Sequence, residues 1–156
     1  MSSLTPDRLR AWQLFFESAL TLLDRLDRDT ERDTGIPIQW YDVLIHLEQS
    51  PDGLRMNELA DKILYSKSGL TRVVDRMENA GLVRRYRPET DRRSIFVLPT
   101  PRGREVMEDA RHRHHDWIEQ NFSRQLADSD IKALTRAFEK LNTHAHTRRP
   151  GRLNGG

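Results

Sequence analysis

The sequence predicts a mostly α-helical chain with one small β-hairpin, an α+β arrangement, on three observations. Apolar residues recur at helical spacing over long stretches at both ends of the 156-residue chain. Two shorter helical patterns stand close together in the middle, at residues 56–63 and 66–79. Directly after them come two β-prone runs, 82–86 and 95–98, parted by a polar loop that holds Pro88 and Asp91. Strand-forming runs around such a loop close into a hairpin.

In the first 33 residues, Leu9, Trp12, Phe16, Ala19, Leu23 and Leu26 alternate spacings of 3 and 4. That is a stripe of about three heptads, a pattern that packs against another helix. In the first of the central helices, Met56, Leu59, Ala60 and Ile63 share one face, and Leu64 and Tyr65 form a short connection to the second. There Leu70, Val73, Val74 and Met77 follow the i, i+3, i+4, i+7 rule, so their side is the buried one. The opposite side carries Ser68, Arg72, Asp75 and Asn79, flanked by Thr71 and Arg76. Ser66 is the expected N-cap, so the first turn would present hydroxyls, Lys67 and unpaired backbone N–H groups together. Gly81 suits the left-handed geometry that ends a helix.

The hairpin is rich in arginine: Arg84, Arg85, Arg87, Arg92 and Arg93. Asp91 lies two residues before Arg93 and is expected to hold its guanidinium by a charge-assisted bond, although both are also ordinary turn residues. Thr100 as N-cap and Pro101 at the first helical position start a long helix to about residue 122, patterned by Val106, Ala110, Trp117 and Ile118. Ile131, Leu134, Phe138 and Leu141 pattern a last helix with Asp128 as its expected cap. Residues 147–156, TRRPGRLNGG, lack apolar periodicity and read as a disordered tail.

Two helices joined by a tight turn and followed by a cationic hairpin make a winged helix-turn-helix. That unit lays its second helix in a DNA major groove and its wing in the adjoining minor groove. Charge placement agrees. Residues 1–53 hold 5 basic and 10 acidic side chains, and residues 54–104 hold 12 and 6, so a nearly neutral chain concentrates a charge of +6 in its middle third. A local basic surface of this kind is the footprint of a nucleic-acid site. A solvated amphipathic helix, or a winged-helix module that binds another protein without specific DNA binding, is compatible with the same pattern.

The sequence holds no phosphate-binding glycine loop, no H-E-x-x-H and no G-x-S-x-G, so an enzyme is not expected. Cysteine is absent, which excludes disulfides, thiolate metal sites and cysteine redox sensing. No apolar run approaches the ~20 residues of a membrane span and no signal peptide is visible, so a cytoplasmic location without membrane contact is expected. His112 and His115 form an i, i+3 pair next to His114, which suits zinc only if His144 or His146 comes close. A solvated cluster is the preferred reading, with no metal and no cofactor.

The order helix-turn-helix, AGLVRR strand, ETDRRS tip, IFVLPTPRG and long helix resembles the multiple-antibiotic-resistance regulator (MarR) family of bacterial repressors. NELA, SKSGLTRVVDRMENAGLV and the D-x-R-S of Asp91 to Ser94 carry the resemblance, and Pro99 departs from it. It implies a transcriptional regulator, most often a repressor, that binds double-stranded DNA at a pseudo-palindromic operator as a homodimer. By the same resemblance, Ser66, Lys67, Ser68, Thr71 and Arg72 match major-groove positions, Arg76 a phosphate contact, and Asp91, Arg92 and Arg93 the wing tip.

The expected organisation is a helical dimerisation region from 1–36 and 101–146 around a DNA-binding lobe at 37–100. The family's control by small aromatic or phenolic acids makes Arg10, Trp12, Phe16, Trp40, Tyr41 and His46 candidate effector-binding residues. The aromatic members of that group fit a plain apolar core as well.

Overall fold

The computed structural model describes residues 4–63 and 69–147. It falls into two compact units, residues 1–115 and 116–156. The first holds α1 (Pro6–Thr34), α2 (Ile38–Glu48), β1 (Leu54–Arg55), α3 (Met56–Lys62), α4 (Leu70–Asn79), β2 (Val83–Tyr86) and β3 (Phe96–Pro99). It also holds most of α5 (Pro101–Asn121), whose end passes into the second unit with α6 (Asp128–Thr147).

α2 is the scaffold of the first unit. Ile38, Tyr41, Val43, Leu44 and Leu47 bury it around most of its circumference, which only a largely apolar helix tolerates. Around it close Leu59 of α3, Val74 and Met77 of α4, Val83 and Val97 of the sheet, and Met107 and Ala110 of α5. α1 reaches this core only near its C-terminal end, where Leu26 packs and Thr30 is buried. Its apolar stripe is otherwise open, with Trp12 58% and Phe16 50% exposed and Leu9, Leu20 and Leu23 also exposed.

Among the described residues the sheet has three strands, not two. β3 lies between β2 and β1, both pairings antiparallel, with Val97 opposite Arg85 on one side and Leu54 on the other. β1 is two residues long, too short to show an alternating pattern, and so gave no strand signal. The expected hairpin strands form within a residue of their predicted ends.

Caps follow local chemistry, with two corrections. Thr100 is the cap foreseen for α5: its hydroxyl oxygen accepts the Gly103 N–H at 3.0 Å and its O–H donates to Gly81 O at 2.6 Å. α6 starts at Asp128, so that residue is not its cap; the Asp130 carboxylate accepts the Ala127 N–H at 3.0 Å instead. α4 begins at Leu70, with Gly69 as N-cap at φ 81°, three residues after the expected cap Ser66. Ser66, Lys67 and Ser68 themselves lie outside the described residues. The expected tail begins at Thr147, the last residue of α6; its remaining residues, 148–156, also lie outside them.

α5 is fastened to α2 by a polar patch. Arg111 bonds Glu48, and the His114 ring stands 5.0 Å from that of Tyr41. Burial, with a smaller contribution from His115, lowers the His114 pKa below its ordinary value, and Nδ1 has no hydrogen-bond partner among the described residues. The folded chain therefore binds this proton less tightly than the unfolded chain. Its stability is complete above the unfolded pKa of about 6.5 and is lost as the pH falls from there through the depressed value. His114→Phe keeps a ring against Tyr41 and removes the titration. Its melting temperature should fall less than the parent's between pH 7.5 and 5; an equal fall in both proteins would place the acid sensitivity in other groups.

Candidate nucleic-acid interface

α4 shows the division its sequence implies. Leu70, Val74 and Met77 are buried, while Thr71, Arg72, Asp75, Arg76 and Asn79 are exposed. At about 100° per residue, Arg72 and Asn79 form the outermost ridge, with Asp75 and Glu78 on one flank and Arg76 on the other.

The flanks are organised differently. On the first, Arg85 of β2 reaches Asp75 Oδ1 and Glu78 Oε2, each at 2.6 Å, and its backbone N–H donates to Glu78 Oε1 at 2.9 Å. Those bonds from the Arg85 backbone and side chain hold the Glu78 pKa below the usual carboxylate range. Burial opposes the Arg85 charge, but the hydrogen bonds to Glu78 and Asp75 outweigh it and raise its pKa. The wing strand is thus clamped to α4, and the carboxylate of Asp75 on the outer surface is compensated. On the other flank, Arg76 stands over the Trp40 ring at 5.5 Å.

The hairpin tip differs from expectation at one bond. Asp91 does not hold the Arg93 guanidinium; it accepts the Arg93 backbone N–H at 3.3 Å, and its other oxygen takes Nη2 of Arg55 at 3.0 Å. A side-chain bond from Ser94 leads the interactions that lower the Asp91 pKa. Arg55 sits at the end of β1 beside Phe96, 5.2 Å from its ring centre, so the shared sheet brings it to the tip across 36 residues of sequence. With Asp91 turned toward Arg55, the side chains of Arg92 and Arg93 are exposed and have no carboxylate within salt-bridge distance among the described residues. Arg84 lies over the Tyr86 ring.

The candidate effector residues occupy separate places. Arg10, Trp12 and Phe16 are on the open part of α1, with the Trp12 and Phe16 rings stacked 5.8 Å apart. Tyr41 is buried against His114, His46 Nε2 is 3.4 Å from Asp42 Oδ1, and Trp40 is engaged with Arg76. Among the described residues no three potential metal ligands converge, and His112 lies beside Glu108.

Sequence reasoning missed Arg55 and the roles of Arg85 and Trp40. For Arg85 a signal existed: Arg84 and Arg85 are neighbours in a strand, so one of them had to face back toward α4. The other two depend on long-range packing.

A helical core against a small sheet whose middle strand is paired on both sides, an exposed polar helix and an arginine-tipped hairpin define a winged helix-turn-helix protein. A sequence model of the MarR family matches residues 34–94. The structure superposes on AbsC, a MarR family transcriptional regulator from Streptomyces coelicolor, with a TM-score of 0.83 and 32% identity, covering 95% of this chain and 100% of AbsC. Sco3205, a regulator of the same family and organism solved in complex with DNA, gives 0.84 and 32%, covering 100% of this chain and 97% of that one. The chain belongs to the MarR family of transcriptional regulators.

The HTH-type transcriptional regulator YfiV of Bacillus subtilis is 27% identical over 92 residues, a match that spans 55% of this chain and 58% of YfiV. These matched proteins are regulators rather than enzymes. No helix among the described residues is long and apolar enough to cross a membrane.

Proposed function

We propose that the chain is a DNA-binding repressor that acts as a homodimer on a pseudo-palindromic operator. The observation that carries this reading is the exposed ridge of α4, with Arg72 and Arg76, beside the exposed side chains of Arg92 and Arg93; none of the four has a carboxylate within salt-bridge distance among the described residues. Thr71 and Arg72, together with Ser66, Lys67 and Ser68, face base edges in the major groove; Arg76 holds a phosphate. Arg92 and Arg93 enter the minor groove, and Asp91 fixes the turn that presents them. The complex of Sco3205 with DNA supports the assignment by likeness.

The dimer is supported by α1. Leu9, Trp12, Phe16, Leu20 and Leu23 form an exposed apolar stripe larger than single chains usually leave open. A second copy covers it in the proposed assembly, joined by the terminal helices of residues 1–36 and 101–146, and sets two reading lobes, 37–100, ~34 Å apart. Control by a small aromatic or phenolic acid completes the proposal, with Arg10, Trp12, Phe16, Trp40, Tyr41 and His46 as candidates from which its site would draw, not one cluster in the folded chain. It rests on the family resemblance and requires unequal affinity for two lobe spacings.

Selection of bound fragments from random DNA tests function and symmetry together, and a dyad-symmetric motif is the expected product. Arg72→Ala should cost ~1–3 kcal/mol and relax preference at one base position. Arg76→Ala should weaken all sequences alike and reduce the salt slope by about one unit. No enrichment, or a shallow salt dependence typical of an acidic protein partner, would sink this reading. A monomer by light scattering at micromolar concentration would remove the dimer.

A further inference from the structure

Trp40 lies in the first turn of α2, half-buried and packed against the core, so one part of its ring is fixed by the fold. The guanidinium carbon of Arg76 stands 5.5 Å from the ring centre, within the range over which an aromatic face attracts a cation. The contact is specific to this flank of α4. Arg85 on the opposite flank is held by two carboxylates, whereas Arg76 has none within salt-bridge distance among the described residues.

These two ways of holding an arginine have different consequences for an incoming phosphate. A carboxylate orients the guanidinium but neutralises it and occupies its N–H groups. A ring orients it through its face and leaves the charge and the N–H edge available. An arginine with no support samples many rotamers and loses that freedom when it is ordered on a phosphate.

We propose that Trp40 is a positioning residue for DNA binding: its indole is the platform that holds the Arg76 guanidinium ready for a backbone phosphate beside α4. This deepens the DNA-reading assignment and rests on it. Trp40 itself touches no nucleic acid; it acts through Arg76, and α2 thereby takes part in binding although none of its side chains need reach the groove. The ring's electrostatic strength should grade the effect, since indole attracts a cation best, with phenol and benzene weaker and an aliphatic side chain supplying no such attraction.

The test uses the full chain and a fluorescein-labelled 30-base-pair duplex of mixed sequence, followed by anisotropy from about 50 to 200 mM salt. Phosphate contacts report on any sequence, so the operator need not be known. Affinity should fall in the order parent, W40Y, W40F, W40L, with W40L about 2- to 5-fold weaker than the parent. In an R76A background the same Trp40 substitutions should change affinity no further. W40Y and W40F keep the series readable should W40L melt early.

A second readout needs no DNA. In W12F/W117F protein Trp40 is the sole indole, and R76A should shift its emission. Equal losses from the Trp40 variants with and without Arg76, or an emission indifferent to R76A, would overturn the proposal. A parent protein with no salt-dependent duplex binding would overturn the DNA reading and this role with it, while the emission arm would still report whether the stack exists.

Discussion

Arg85→Ala should weaken duplex binding about tenfold or more, and neutralising its two partners should win much of that loss back. In the folded chain the Arg85 side chain is 22% exposed and bonds Asp75 and Glu78 at once. Its removal leaves two carboxylates on the flank of α4, the helix proposed to face DNA. At ~8 Å from a phosphate and an effective dielectric of about 40, each contributes roughly 1 kcal/mol of repulsion before screening by salt. The clamp itself contributes less to folding than its short bonds suggest, about 1–2 kcal/mol, because Asp75 and Glu78 are more than a third exposed.

The decisive variant is the triple one, Arg85→Ala with Asp75→Asn and Glu78→Gln. If Arg85 acts by compensating those carboxylates, the triple variant binds duplex several-fold better than Arg85→Ala alone, yet regains none of the lost melting temperature. If Arg85 instead grips a phosphate directly, neutralising the carboxylates restores nothing beyond what the same two changes give in the parent. Anisotropy at fixed salt and a thermal melt on the same samples separate the two outcomes.

What the sequence made legible was local. The buried side of α4 follows from Leu70, Val74 and Met77 because a helix repeats every 3.6 residues, and the outward ridge follows by subtraction. Thr100 and Pro101 announce α5 because a cap bonds within its own first turn. Strand β1 carries no such local signature, and it is β1 that delivers Arg55 to Asp91. The expected pairing of Asp91 with the Arg93 guanidinium failed for this reason: proximity in sequence was the only information, and a competitor arrived from another strand. Trp40 is a similar case. Its aromatic character was visible, but only the packing of α2 against α4 decides that its ring meets a cation.

The same distinction explains where the candidate effector residues fall. Arg10, Trp12 and Phe16 belong to a part of α1 that the first unit leaves open, while Tyr41 is engaged with α5. A stripe of apolar residues indicates that a helix has a partner; it does not say whether the partner lies in the same chain.

Gly103→Ala should be the most destabilising single methyl addition in the first unit, although the residue is not part of the ridge of α4. A Cβ at Gly103 would fall 2.0 Å from the carbonyl oxygen of Leu82 and 2.9 Å from its carbonyl carbon. Both are backbone atoms, so no rotamer change relieves the clash. Nor is the Leu82 carbonyl free to retreat, since it accepts the Thr100 N–H at 3.0 Å and Leu82 itself is buried. Either the start of α5 lifts from the root of β2 or the strand moves with its wing, and a shift of that size in a packed core costs about 3 kcal/mol or more. For a chain of this length that lowers the melting temperature by roughly 10 °C.

Gly81→Ala provides the control. Its φ of 73° ends α4 as the sequence predicts, but an added Cβ there meets nothing within 4 Å, so the cost is limited to backbone conformation, ~1 kcal/mol. Melting curves that rank Gly81→Ala as the more harmful change would show that the seat of α5 on Leu82 is looser than the structure describes. The ranking expected here has a functional side: the contact that forbids a methyl group at Gly103 also fixes the strand from which Arg85 clamps the reading helix. Gly103→Ala should therefore weaken duplex binding at temperatures well below its melting point, whereas Gly81→Ala should do so only to the extent that α4 frays.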